Sequence, residues 1–160
     1  MRKLVHKFLL LLGWNISLWK PEGIKKAVVV MGPHTSNWDF VLGRLAFYMM
    51  HLQGRYLVKK DIFVFPLGFI LKALGAIPVD RSKNNNMVEY VANLFKDKEE
   101  LYVVFTPEGT RSYNPNWKKG FYYVAIESNV PIYIAYVDYA TKTGGFHSLF
   151  EPTGDVEKDI

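Results

Sequence analysis

The sequence predicts a single α/β domain built on a mixed, mostly parallel sheet flanked by helices. Three observations carry that expectation. Residues 27–31 and 101–105 are short, wholly apolar and rich in β-branched or aromatic side chains, the pattern of strands buried on both faces. Segments of helical length and period alternate with such runs. At 160 residues, with 49% hydrophobic and 22% charged residues, the chain has the length and composition of one folded domain rather than a disordered segment.

Residues 1–25 are expected to form an N-terminal amphipathic helix at a membrane interface, and residues 26–160 the main domain. Arg2, Lys3 and Lys7 precede the run Phe8-Leu9-Leu10-Leu11-Leu12, and Trp14 and Trp19 follow it. That run falls short of the roughly 20 residues a membrane span requires. No small-residue cleavage pattern precedes Lys20-Pro21-Glu22. Tryptophan and lysine flanks suit a helix lying in the bilayer interface. The competing reading is a first helix packed on the domain's own core.

Residues 27–31 form the first strand of the main domain, and Gly32-Pro33 breaks it. Ser36 offers an N-cap to a helix over 37–52, which Gly54 ends. Residues 55–59 read as a second strand. Residues 62–77 are almost wholly apolar but carry Pro66, Gly68 and Gly75, so short helical pieces are expected, serving as core or as the wall of a slot for a long apolar ligand. Residues 76–81 read as a short strand, at a sheet edge because of Pro78. A polar loop over 82–86 leads into an amphipathic helix over 87–98, through Val91, Leu94 and Phe95. Residues 101–105 are the clearest buried strand. A helix over 120–128, a strand over 130–137 and a last strand or hairpin over 144–150 follow. Residues 155–160 look like a helix start with nothing after it, as in a truncated chain.

Two loops carry candidate chemistry. His34 follows the first strand, at the carboxyl end where open α/β sheets bind ligands. Asp39, five residues on, is placed to orient an imidazole and stabilise it once protonated. The same residues also read as a helix start, with Ser36 and Asp39 three apart as in a capping box, and on this segment alone the two readings stand level. Glu108-Gly109-Thr110-Arg111 follows a buried strand in the same way. Gly109 admits close backbone approach, Thr110 offers a hydroxyl and Arg111 a planar fork matched to phosphate. The plainer alternative is a turn closed by a Glu108–Arg111 ion pair.

The chain has no cysteine, which excludes disulfides, zinc–thiolate sites and thiol nucleophiles. A net charge of +5 and a pI near 9.3 point to an anionic partner. Arginine occurs only at 2, 44, 55, 81 and 111, and lysine supplies the remaining cations. Such a surface suits lipid headgroups or solubility and is poor material for reading nucleic-acid bases.

Together, His34-x-x-x-x-Asp39 and Pro107-Glu108-Gly109-Thr110-Arg111-Ser112 resemble the HX4D and EGTR signature blocks of the glycerolipid acyltransferases, the 1-acyl-glycerol-3-phosphate acyltransferase family. Residues 75–81 are similar to that family's second block and Val130-Pro131-Ile132 to its fourth, in matching order over residues 26–139. Pro78 stands where an aromatic residue is usual, and Ile134 where a second proline often occurs. The resemblance implies a glycerol-3-phosphate acyltransferase-like fold and transfer of a fatty acyl group from an acyl-CoA or acyl-carrier-protein thioester to the hydroxyl of a lysophospholipid. It implies His34 as general base, Asp39 as its partner, and Arg81, Glu108, Gly109, Thr110 and Arg111 around the acceptor. It implies no metal and no cofactor beyond the thioester co-substrate, and a peripheral or monotopic place on the cytoplasmic face of a membrane.

Two rival functions follow from the same residues. One is a lipid or thioester hydrolase in which His34 activates water, although no Gly-x-Ser-x-Gly elbow occurs. The other is a non-enzymatic basic module for membrane surfaces or RNA. Aromatic residues make up 16% of the chain, yet most lie within apolar runs where core is the default.

Overall fold

The computed structural model describes residues 1–20, 22–80, 84–112 and 114–160, with the backbone alone over 84–86. Among the described residues seven strands form one sheet: β1 (Asn15–Ile16), β2 (Lys26–Met31), β3 (Gly54–Lys59), β4 (Ala76–Val79), β5 (Leu101–Phe105), β6 (Ile132–Asp138) and β7 (Thr143–Phe150). Their order is β1-β7-β6-β2-β5-β3-β4, and every pair is parallel except β6–β7. The helices are α1 (Arg2–Leu11), α2 (Trp38–Met50), α3 (Leu67–Ala73), α4 (Asn84–Lys96), α5 (Gly120–Ser128) and the single turn α6 (Val156–Asp159).

The continuous apolar runs of β2 and β5 are explained by cover on both faces. Ala27, Val29, Met31, Tyr102 and Val104 pack on one side with α2 and with Leu9 of α1. Val28, Val30, Leu101, Val103 and Phe105 pack on the other with α4 and α5. β2 leaves through α2 toward β3, on one side of the sheet centre. β5 leaves through α5 toward β6, on the other side and across the opposite face. The carboxyl ends of these two neighbouring strands therefore flank a topological switch point, where α/β sheets open a crevice.

Several elements depart from the sequence expectations at their ends. α2 is capped by Asn37 rather than Ser36, whose Oγ instead accepts the Trp38 N–H at 3.1 Å. His51, in the left-handed region at φ 60°, closes that helix, while Gly54 opens β3. A Cβ at Gly54 would stand 2.7 Å from the Phe47 ring, so the glycine serves a close approach of helix to strand. α4 begins at Asn84, inside the expected polar loop, because asparagines carry no apolar period to mark a helix start. β1 was unforeseen, being only two residues paired to β7. Pro78 does lie in an edge strand, β4.

The apolar segment 62–77 forms the short helical pieces expected of it. It forms a 3₁₀ turn at Lys60–Ile62 followed by α3, and α3 buries only Gly68. Ile62, Val64, Phe65, Leu67, Phe69 and Ile70 are exposed, so of the two expected roles, core and slot wall, plain core is the one corrected. α1 packs on the core along one side only. Leu9 is buried in the core and Val5 packs beside it, whereas Leu4, Phe8, Leu11 and Leu12 are exposed. Arg2 lies 5.1 Å over the Tyr48 ring and donates to His51, holding the helix on α2. Among the described residues no helix is long and apolar enough to cross a membrane.

Gly68 fixes the start of α3 against the preceding turn. Its N–H bonds the Val64 carbonyl at 2.7 Å, and a Cβ there would meet the Phe63 backbone at 2.8 Å. Backbone cannot move aside as a flexible side chain can. Gly68→Ala is expected to cost about 1–3 kcal/mol through overpacking, read as a shift in the urea midpoint. An unchanged midpoint would show that α3 is not held against this turn.

Candidate active site

His34 lies on the loop after β2, with its side chain partly buried, and its Nδ1 is 2.9 Å from Asp39 Oδ2. Asp39 stands in the first turn of α2 and is 1% exposed. Its Oδ2 also accepts the backbone N–H groups of Thr35 at 2.9 Å and Ser36 at 3.0 Å. Its Oδ1 accepts the Tyr139 hydroxyl at 2.5 Å. A buried carboxylate is costly unless donors surround it, and here the loop, the imidazole and Tyr139 supply them. An acceptor on Nδ1 keeps the proton on that nitrogen and leaves the Nε2 lone pair to take another. Partial burial and the bond to Asp39 push the Tyr139 hydroxyl up, so it keeps its proton and remains the donor.

The second loop is tied to the first. Glu108, 6% exposed, accepts the His34 backbone N–H on Oε2 at 2.8 Å. Asn114 Nδ2 in turn donates to the Glu108 carbonyl at 3.1 Å. Gly109, at φ 65°, turns the chain with its N–H on the Thr106 carbonyl, and a Cβ there would stand 3.0 Å from Lys118 Cε. Thr110 and Arg111 are exposed, and Arg111 makes no ion pair among the described residues. The expected alternative, a Glu108–Arg111 pair closing the turn, does not form; Glu108 faces the histidine loop instead.

A cavity of about 650 Å³ opens between the two loops, in the size range of small-molecule sites. His34, Gly109, Thr110 and Arg111 line it together with Lys59, and Phe40, Leu57, Ile62, Leu71 and Val104 give it an apolar wall. Tyr56 also lines it; burial pushes its phenol well up, and its hydroxyl has no partner among the described residues. One site thus offers a proton acceptor, a cationic fork and an apolar surface, the groups an anionic amphiphile would require. Among the described residues no cluster of three or more His, Asp or Glu side chains could hold a metal ion. Arg81 lies outside the described residues.

Sequence reasoning missed Tyr139 and Asn114. Tyr139 follows β6, the parallel neighbour of β2, and reaches Asp39 across 100 residues of chain. Only strand order brings them together, and nothing in the local sequence signals it. Tyr139→Phe removes one donor from a buried carboxylate and is expected to cost about 1.5–3 kcal/mol in urea denaturation. A loss too small to measure would mean that the bond contributes nothing net.

The acyltransferase family model matches residues 15–137. Human 1-acyl-sn-glycerol-3-phosphate acyltransferase beta is 33% identical over 136 residues, 80% of this chain and 48% of that protein. A shorter likeness, 27% over 90 residues, links 56% of the chain to 41% of N-(5'-phosphoribosyl)anthranilate isomerase from two strains of Staphylococcus epidermidis. The chain thus spans about half the length, or less, of these curated relatives. No solved structure matches. The family match runs from β1 into β6 and takes in both loops that meet at the cavity, and on that match and the human relative the chain belongs to the glycerolipid acyltransferase family.

Proposed function

We propose that the protein transfers a fatty acyl group from an acyl-CoA or acyl-carrier-protein thioester to the hydroxyl of a lysophospholipid such as 1-acyl-glycerol-3-phosphate. The observation that carries this reading is a histidine, held by a buried carboxylate, in the same cavity as an apolar wall and an arginine with no ion pair among the described residues. A lipid hydroxyl is a poor nucleophile at neutral pH. His34 Nε2 takes its proton as the oxygen attacks the thioester carbonyl. The tetrahedral intermediate then expels the thiolate, which recovers a proton from the imidazolium. Asp39 stabilises that imidazolium, and such a base contributes typically ~10²–10⁴-fold.

In this reading Arg111, the Thr110 hydroxyl and the Gly109 backbone hold the acceptor's phosphate, with Arg81 as a further cation. Glu108 fixes the distance between base and phosphate site, since its carboxylate bonds the base's own backbone. The apolar wall takes an acyl chain, and the thioester is the only co-substrate. Residues 1–25 contact the cytoplasmic face of a membrane through the exposed side of α1, and residues 26–160 carry the chemistry. Buried Leu9 keeps α1 on the domain while Leu4, Phe8 and Leu11 face outward.

Incubation with a radiolabelled acyl donor and a panel of lyso-lipids tests the reading. Acceptor-dependent acylated product is expected; free fatty acid released regardless of acceptor would assign a hydrolase instead. His34→Ala should keep the circular dichroism of the native fold and lose about 3–5 kcal/mol of transition-state stabilisation. Near-normal turnover by that folded variant would refute the base assignment.

Arg111→Lys separates phosphate binding from chemistry. An ammonium is a point charge without the planar fork. Acceptor KM should rise roughly ten- to a hundredfold while donor KM stays put, measured with both substrates varied. Unchanged acceptor parameters would place the phosphate elsewhere.

A further inference from the structure

We infer that the exposed rim made by the 3₁₀ turn and α3 is a docking surface for an anionic lipid bilayer, distinct from α1 and adjoining the cavity. Phe65 is 95% exposed and Phe69 78%, with Val64, Ile62, Leu67 and Ile70 beside them in sequence. Single exposed apolar side chains are ordinary on a protein surface, but six within nine residues mark an interaction site. These side chains are presented by a built element, because Gly68 packs its backbone against Phe63.

Charge selects the occupant. Lys59, Lys60 and Lys72 flank the rim, and the one acid within it, Asp61, is paired with Lys59 at 2.5 Å. Apolar side chains collared by lysine match the boundary between acyl chains and anionic headgroups. A protein partner of equal apolar area would gain nothing from that collar unless it too were acidic.

The rim is also continuous with the cavity. Ile62 and Leu71 belong to this segment and line the space that holds His34 and Arg111. A lipid leaving the bilayer therefore has only this short wall to pass. That gateway role rests on the acyl-transfer reading; the docking surface rests on exposure and charge alone.

Because the chain has no cysteine, Phe65→Cys supplies a single thiol for an environment-sensitive dye. Vesicles of phosphatidylcholine with phosphatidylglycerol should shift that dye's emission to the blue, and likewise at Phe69→Cys. Dye at Lys98→Cys, an exposed site before the amino end of β5, should not respond. The double variant Phe65→Ser, Phe69→Ser should partition onto the same vesicles at least about tenfold more weakly, yet turn over a water-dispersed short-chain acceptor as the parent does. Unchanged partitioning by the double variant, or a dye that stays in water, would overturn the docking surface. A dye that shifts with protein concentration alone, without vesicles, would assign the rim to a second copy and overturn it too. Docking by a parent enzyme that acylates no acceptor would uphold the surface and overturn only the gateway.

Discussion

The site depends on one buried carboxylate. Asp39 sits at 1% exposure and would be too costly to keep there without donors on both oxygens. Those donors come from separate places: the loop after β2 gives two backbone N–H groups and an imidazole, and the chain after β6 gives a phenol. Satisfying Asp39 therefore requires β2 and β6 to be neighbours, which the parallel register Val28↔Ile132 to Met31↔Ala135 provides, with β6 running on to Asp138 and delivering Tyr139. The constraint reaches further, because the Trp14 ring meets Tyr139 edge-on at 5.3 Å. The segment beyond α1 thus buttresses the residue that holds the carboxylate that holds the histidine.

Glu108 repeats this arrangement on the other side. It too is a nearly buried acid, and its stabilising donor is the backbone of His34 itself. β5 pairs with β2 in parallel, so the loops leave the sheet side by side, although His34 and Glu108 are 74 residues apart in sequence. The switch in direction between these strands keeps both crossover helices out of the way, since α2 departs across one face and α5 across the other. The crevice left between the loops is the cavity.

Much of this was legible in the chain. Doubly buried strands write their environment as unbroken apolar runs, and β2 and β5 were found to within a residue. The two readings of His34–Asp39 were level because they are not exclusive: Asp39 lies in the first turn of α2, bonds loop N–H groups and holds the imidazole at once. What failed to show has a common cause. Composition says that a side chain is apolar, not what it packs against, and so 62–77 read as core or as the wall of a slot. Contacts made by strand order, such as Tyr139 on Asp39, leave no local period. A two-residue strand such as β1 is too short to have one.

Lysine is abundant and spread over the surface, arginine rare, and an ammonium attracts an anion without dictating its orientation. Of the described arginines, Arg2 lies over Tyr48 and bonds His51, while Arg111 stands at the cavity with no ion pair. Attraction of such a lysine surface to an anionic one would thus be diffuse and tolerant of position. On the proposed reading, orientation of a single anionic group against His34 would fall to Arg111, which lines the same cavity. In the proposed acyl transfer, the charge that would bring a lipid surface to the protein and the charge that would align a headgroup with His34 belong to different residue types, each suited by its geometry to that task.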